Sequence, residues 1–351
     1  MDFAFTDEQL MIAETAQSFF ADNATSERTR KAMASDGLDR ETWQSFCQEL
    51  GLSGLLIADE FGGSNLGMVE FANIAEAAGT QIAAIPLLGQ TMVGQAIAAG
   101  GTQEQKSHWL PKLAAGEIVA TAGGSADLQA DNNRLSGKIG LIPHGNIAEI
   151  FILSDGSNAW IVESGADGFF VETPTTMDQT RPLATLILEG VDGEPLGDSD
   201  AAMEAGKTAG WICLAAEALG GAQACLDRTV AYSKERVQFG RAIGSFQAYK
   251  HRAADMMIEI EQARSAVYWA ACAVDEGSDD AKLAIHAAKA FSADTFFKCA
   301  GDMIQLHGGI GFTWEHDAHI FFKRARSIQT MMLDGNWHRE RIATMLLGEA
   351  A

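Results

Sequence analysis

The sequence predicts a mainly α-helical protein interrupted by one small β region, on three observations. Apolar residues recur at helical spacing from Thr6 to about residue 115. Between 117 and 198 that spacing gives way to short β-like runs separated by turn signals. From 199 onward four long amphipathic stretches follow with short connections, the pattern of a helix bundle. The expected organisation is an N-terminal helical domain over 1–116, a middle antiparallel β-barrel over 117–198 and a C-terminal four-helix bundle over 199–351.

In the first region, Thr6 is placed to cap a helix whose first turn holds Asp7 and Glu8, with Leu10, Ile12, Ala13 and Ala16 on one face. A second helix is expected from Arg40 to Leu50, stopped at Gly51. The glycine-rich Asp59-Glu60-Phe61-Gly62-Gly63 loop precedes helices at about 67–79 and 88–98 and a short one over Gln103–Ala115. The β runs are Ile150-Phe151-Ile152-Leu153, Ala159-Trp160-Ile161-Val162 and Leu183-Ala184-Thr185-Leu186-Ile187-Leu188. Turns are expected at Asp155-Gly156, Gly165 to Gly168 and Asp192-Gly193. The bundle helices are expected over 200–233, 244–275, 279–307 and 335–348.

Composition narrows the function. Of 351 residues 47% are hydrophobic and 21% charged, an ordinary globular mixture, and the formal charge is -22. So acidic a chain does not suit nucleic acid or an anionic membrane, although a local basic pocket remains compatible with it. Residues 1–8 are acidic, without the basic stretch and apolar run of a secretion signal, and no run of about 18 uninterrupted apolar residues predicts a membrane span. Cys47, Cys213, Cys225, Cys272 and Cys299 are odd in number and set in apolar helical patterns, which predicts reduced core thiols in a cytoplasmic protein. The eight histidines show no HxxxH or HExxH spacing, so no metal is expected.

Three segments of the bundle region carry possible chemistry. Glu235 to Gln247 joins two helices and sets Arg236 and Arg241 among glycines, either a phosphate-binding turn or a corner with solvated arginines. Gln305-Leu306-His307-Gly308-Gly309-Ile310-Gly311-Phe312 is either a glycine cap or a backbone opened to a cofactor. In Met332 to Arg339, Asp334 and Asn336 either cap the last helix or face a ligand. Glu217 is the only charge in Trp211 to Leu219, either a base of raised pKa or a partnered structural acid.

Taken together, Arg236-x-Gln238-Phe239-Gly240, Phe246-Gln247, Gln305-Leu306-His307-Gly308-Gly309-x-Gly311-Phe312, Trp314 to Asp317 and Lys323-Arg324-Ala325 resemble the acyl-CoA dehydrogenase family. Phe5-Thr6-Asp7-Glu8-Gln9, Glu60-Phe61-Gly62-Gly63 and Trp109-Leu110-Pro111 fit the same family, so the resemblance covers nearly the whole chain. It implies α,β-desaturation of an acyl-CoA thioester, FAD as hydride acceptor, and electron-transfer flavoprotein as the usual acceptor after it. The family builds each FAD site from two subunits. By match Arg236, Gln238, Phe239, Phe246, Gln247, Gln305, Leu306, His307, Gly308 and Gly309 would serve the flavin of a neighbouring subunit.

The match fails where the family holds its own flavin. A Thr-Glu-Pro-x-x-Gly-Ser-Asp-like loop is replaced by Ala120 to Asp127, and a Trp-Ile-Thr-Asn-Gly-like strand by Gly140 to Gly145. The stacking aromatic is absent. The family's catalytic Glu is also missing: the Glu-Gly position reads Asp334-Gly335, about 1.5 Å shorter in reach, and the alternative position falls near Gly210-Trp211. This pattern resembles the short β-type subunits of α2β2 members acting on steroid side-chain CoA esters. It implies a heterotetramer in which a catalytic partner subunit carries the base. The alternatives are a self-sufficient homotetramer with Asp334 or Glu217 as base, and a flavin-free structural subunit.

Overall fold

The computed structural model describes residues 5–348; the start of the acidic N-terminal stretch (Met1 to Ala4) and the last three residues of the 199–351 segment lie outside the described residues. Six helices come first: α1 (Asp7–Asn23), α2 (Ser26–Met33), α3 (Arg40–Gln48), α4 (Met68–Thr80), α5 (Leu87–Gly100) and α6 (Gln103–Ala114). Strands β1 (Ala120–Gly124), β2 (Gln129–Asp131), β3 (Arg134–Pro143), β4 (Ile150–Ser154), β5 (Ala159–Glu163), β6 (Phe169–Glu172), β7 (Leu183–Asp192) and β8 (Glu194–Pro195) follow. The rest is helical: α7 (Ser199–Glu235), α8 (Gln247–Asp275), α9 (Ala281–His307), α10 (Ala318–Thr330) and α11 (Gly335–Leu347). A small ribbon of β9 (Val237–Gln238) and β10 (Arg241–Ala242) interrupts them. Thr6 caps α1 as expected, in a full capping box with Gln9.

Two helices go beyond the sequence reading. Strongly polar α2 buries only Thr29 and Ala32, so its sequence carries little apolar periodicity. Around α10 the buried face includes an arginine, Arg324, among Ile320, Phe321, Ala325 and Ile328, which breaks the apolar pattern and adds a fifth helix to the expected four.

Contacts divide the chain into two compact units, each assembled from separated stretches. One comprises the segment ending at Ser26, Met68–Ala83 and the chain from Leu214 onward; the other comprises Glu27–Gly67 and Ala84–Cys213. In the second unit the strands form two four-stranded sheets, ordered β1-β4-β5-β8 and β2-β3-β7-β6. β1 pairs with β4 in parallel, and the other pairs in these sheets are antiparallel. The first sheet is covered on both faces. Ile150, Ile152, Ala159 and Ile161 pack against Val93, Ile97, Leu110 and Leu113 of α5 and α6. Phe151, Leu153, Trp160 and Val162 pack against Leu135, Ile139, Leu186 and Leu188 of the second sheet. Double burial explains why β4 and β5 read as unbroken apolar runs.

In the first unit α9 is the central helix, burying Ile285, Ala288, Phe296, Ala300 and Met303. α4 and α7 approach so closely that a Cβ on Gly220 would lie 1.8 Å from the Glu76 carbonyl oxygen, and one on Gly79 would lie 2.1 Å from that of Glu217. α8 reaches α4 through polar groups. The Asp275 carboxylate accepts the Met68 and Val69 amides at 2.7 and 3.1 Å, capping α4 from a distant segment. Tyr268 donates toward Glu76 at 2.8 Å, and Glu76 also holds Arg264.

α7 is long and apolar enough to cross a membrane by length and composition, yet 89% of its apolar window is buried within the fold. The five cysteines are free, and burial pushes the thiols of Cys47 up to about 11 and Cys299 up to about 12, so neither is a ready thiolate.

The α4–α7 crossing tolerates no side chain, because the opposing atoms are backbone. Gly220→Ala is expected to destabilise the protein by about 1–3 kcal/mol in chemical denaturation, despite the better helix propensity of alanine. A gain in stability would contradict the crossing.

Candidate functional site

The Glu235–Gln247 connection is a tight hairpin. Gln238 pairs with Arg241 and Val237 with Ala242, leaving Phe239 and Gly240 at the tip with φ of 54° and 79°. Two consecutive positive-φ residues are what a two-residue hairpin turn requires; Gly240 adopts this freely and Phe239 does not. The Phe239 side chain is 91% exposed. Beside it the Arg241 guanidinium lies 4.1 Å from the centre of the Phe246 ring, and Phe239 meets the same ring edge-on. Arg236, Gln238 and Gln247 are exposed. Among the described residues Arg236 makes no ion pair or side-chain hydrogen bond, so its five donors face outward.

The second segment ends α9 at the same end of the bundle. Gln305 is exposed, Leu306 half-buried and His307 buried. His307 Nδ1 lies 2.8 Å from the Met303 carbonyl and therefore carries the proton, while burial holds the ring's pKa below its ordinary value. The ring stacks on Tyr232, 4.5 Å between centroids. Tyr232 stands four residues before Arg236, so this stack ties the glycine segment to the hairpin. The sequence reading missed Tyr232, although its i,i+4 spacing from Arg236 was a usable signal. His307, expected to serve the flavin of a neighbouring subunit, is buried and stacked on Tyr232.

Beyond His307 the chain turns through Gly308 (φ 63°), and a Cβ on Gly308 or Gly309 would meet no atom within 4 Å. Their backbone is thus open to a ligand, whereas Gly311 is packed against the Ile304 carbonyl. Beyond the glycines, Phe312 is 84% and Trp314 62% exposed. This surface suits an extended nucleotide: outward guanidinium and amide donors, an open backbone and flat apolar side chains.

The third segment lies elsewhere. Met332 and Leu333 adopt left-handed φ of 52° and 77°, at about 1–2 kcal/mol each. Asp334 then caps α11, its Oδ1 accepting the Asn336 and Trp337 amides at 3.1 and 3.0 Å. Lys289 of α9 bonds to the Leu333 carbonyl, which places this turn 18 residues (307 − 289) up α9 from His307, roughly 27 Å at 1.5 Å per residue. Within one chain, Asp334 does not meet the first two segments. Glu217 is buried, and its carboxylate accepts from Arg324, itself wholly buried. Each candidate base is therefore engaged, one as a cap and one as half of an ion pair.

In the β region, the segments that replace the family's own flavin-holding loop and strand make contacts within the chain. Thr121 Oγ1 donates to the Pro143 carbonyl at 2.7 Å. A Cβ on Gly123 would sit 1.9 Å from Ile142 Cδ1, so the face of β1 is filled by the protein's own side chain. Leu141, 75% exposed with φ 62°, stands in place of the stacking aromatic, and His144 is buried with its amide donating to the Pro182 carbonyl. The polar and apolar groups of this β surface are thus engaged within the chain.

Removing either partner of the Glu217–Arg324 pair breaks a buried ion pair. Glu217→Ala is expected to lower stability by about 3–5 kcal/mol in urea denaturation. Asp334→Ala, the loss of an N-cap, is expected to cost only about 1 kcal/mol. Equal, negligible effects would contradict these assignments.

Comparison with known proteins gives the same outline. The acyl-CoA dehydrogenase N-terminal domain matches residues 6–117 and the acyl-CoA dehydrogenase C-terminal domain residues 200–347. The acyl-CoA dehydrogenase IpdE2 of Mycobacterium tuberculosis is 36% identical over 326 residues, 91% of this chain and 91% of its own. IpdE2 of Mycolicibacterium smegmatis is 34% identical over 91% of this chain and 93% of its own. Among solved structures, a variant of the Tcur3481–Tcur3483 steroid ACAD superposes with a TM-score of 0.90 at 29% identity, covering 97% of this chain and 98% of that one. The ChsE4–ChsE5 complex from Mycobacterium tuberculosis gives 0.91 at 25% identity over the whole of both chains. With its helical arms and its bundle-end motifs both matched, the chain belongs to the acyl-CoA dehydrogenase family of oxidoreductases.

Proposed function

We propose that this chain is a subunit of an FAD-dependent acyl-CoA dehydrogenase and supplies the trans half of the flavin site to a catalytic partner subunit. The observation that carries the proposal is an asymmetry. The bundle-end surface is open and equipped for a nucleotide, while the β surface is filled and both carboxylates are engaged. Neighbours named as pairs, Tcur3481–Tcur3483 and ChsE4–ChsE5, support an assembly of unlike subunits, here a heterotetramer. The name of the first supports a steroid-bearing acyl-CoA thioester as substrate class. Electron-transfer flavoprotein is the proposed acceptor, and the free core cysteines support a cytoplasmic, reducing compartment. The division into 1–116, 117–198 and 199–351 is kept as the proposed domain description.

In this reading each residue has a physical task. Arg236 offers its fork to phosphate oxygens, and Gln238, Gln247 and Gln305 offer amides. Gly308 and Gly309 let the nucleotide approach the backbone, and Phe239 and Phe246 cover it with apolar faces that exclude water. The bound flavin would accept the hydride leaving the acyl β-carbon. The α-proton is taken by the partner's base.

The test is flavin retention by the complex purified with its partner. Arg236→Ala removes charge-assisted bonds each contributing about 1.5–3 kcal/mol, so flavin affinity is expected to fall about tenfold or more, with Arg236→Lys intermediate. Unchanged flavin content and affinity in Arg236→Ala would overturn the trans-site assignment.

A further inference from the structure

Helix α7 grips the glycine segment at two points one turn apart. Tyr232 stacks on His307, with 4.5 Å between ring centroids and 21° between the planes. Four residues earlier on the same helix, Arg228 donates to the Asp317 carboxylate at 3.3 Å, and its guanidinium lies over the Phe321 ring. Residues four apart share one face of a helix, so a single face of α7 holds both His307 and Asp317. Asp317 also accepts from the Ser26 hydroxyl at 2.7 Å. Between these anchors the chain leaves at Gly308 and comes back at His316, whose ring lies 4.5 Å from that of His307. His316 Nδ1 accepts the Ala318 amide at 3.1 Å, at the start of α10. The glycine loop is thus closed at its base by three rings in succession, Tyr232, His307 and His316.

The same tyrosine is fixed to the hairpin. Its carbonyl accepts the Arg236 amide at 2.9 Å, and the Arg236 carbonyl accepts the Ile243 amide at 2.9 Å on the returning side. At the other end His307 is followed directly by Gly308, and its Nδ1 donates to the Met303 carbonyl at 2.8 Å. Two rings and one backbone bond therefore join the hairpin to the glycine backbone. A stack of rings suits that task, because an aromatic side chain has few torsions and holds a spacing that a long flexible chain does not.

We propose that Tyr232 is a positioning residue for the flavin nucleotide: its ring sets the spacing between the Arg236 hairpin and the Gly308–Gly309 backbone before the nucleotide arrives. This rests on the trans-site reading above and adds a residue that acts through the two segments rather than on the ligand. A nucleotide held at two places binds well only when both already stand at the right separation; otherwise part of the interaction energy is lost to ordering the protein. With the Tyr232 ring removed, Arg228 still holds Asp317, and the end of the loop that gains freedom is the one carrying Gly308 and Gly309. The expected consequence is weaker FAD binding with the other flavin contacts intact.

The test is an FAD titration of the flavin-free complex of this chain with its catalytic partner, followed by flavin fluorescence. Tyr232→Leu keeps an apolar side chain and removes the stack, so the FAD dissociation constant is expected to rise about three- to tenfold. Tyr232→Phe keeps the ring and is expected to stay within about twofold of wild type. An unchanged constant in Tyr232→Leu beside a weakened Arg236→Ala overturns the positioning role and leaves the trans site standing. A Tyr232→Phe constant as high as that of Tyr232→Leu assigns the effect to the hydroxyl and also overturns it. Wild-type binding by both Arg236→Ala and Tyr232→Leu removes the trans-site reading, and this inference with it. Should Tyr232→Leu fail to assemble, hydrogen exchange on the wild-type complex decides. Amides of residues 308–316 protected before FAD is added support a spacing set in advance, and protection that arises only with FAD overturns it.

Discussion

Arg324 is a guanidinium with no water to fall back on. Its side chain is wholly buried on α10, and Glu217 on α7 is its charged partner. Taking such a pair out of water costs several kcal/mol per ion unless the geometry is close, so α10 has little freedom to slide along α7. Much of the helical unit follows from that constraint. The α10 carbonyls end where Lys289 can reach them, and the turn behind them delivers Asp334 to the first turn of α11. On the other side of Glu217 its carbonyl faces Gly79, which lets α4 lie directly on α7. Glu217, the one charge between Trp211 and Leu219, is therefore held as the counterion of Arg324.

The same economy separates the two halves of the proposed flavin site. The bundle-end surface keeps an exposed Arg236 and glycine backbone with open space beside it. Exposed aromatics such as Phe239, Phe312 and Trp314 are costly to leave in water. By contrast, Ile142 closes over Gly123 and Thr121 bonds to the Pro143 carbonyl, so the β surface has satisfied its own polar and apolar groups.

What the sequence disclosed follows the range of the forces involved. Local signals were legible: the Thr6 capping box, the long periodic helices α8 and α9, the doubly buried runs of β4 and β5, and the capping alternative for Asp334. Helix α10 was hidden because its buried face carries Arg324, whose partner lies 107 residues away. The parallel pairing of β1 with β4 left no periodic trace, since it depends on which strand end the chain returns to. At the site, Arg236, Gln238, Gln247 and the Gly308-Gly309 backbone are exposed. His307 is buried, because stacking on Tyr232 is a tertiary contact that spacing alone does not specify.

The central claim is that this chain shares a flavin site it cannot complete alone. The most direct measurement is flavin per polypeptide, by visible absorbance, for the chain purified alone and for the complex with its partner. The account predicts no flavin on the chain alone, and FAD at about half the total chain count in the complex. One FAD per chain in a homo-oligomer would contradict it, and would return Asp334 and Glu217 to consideration as bases.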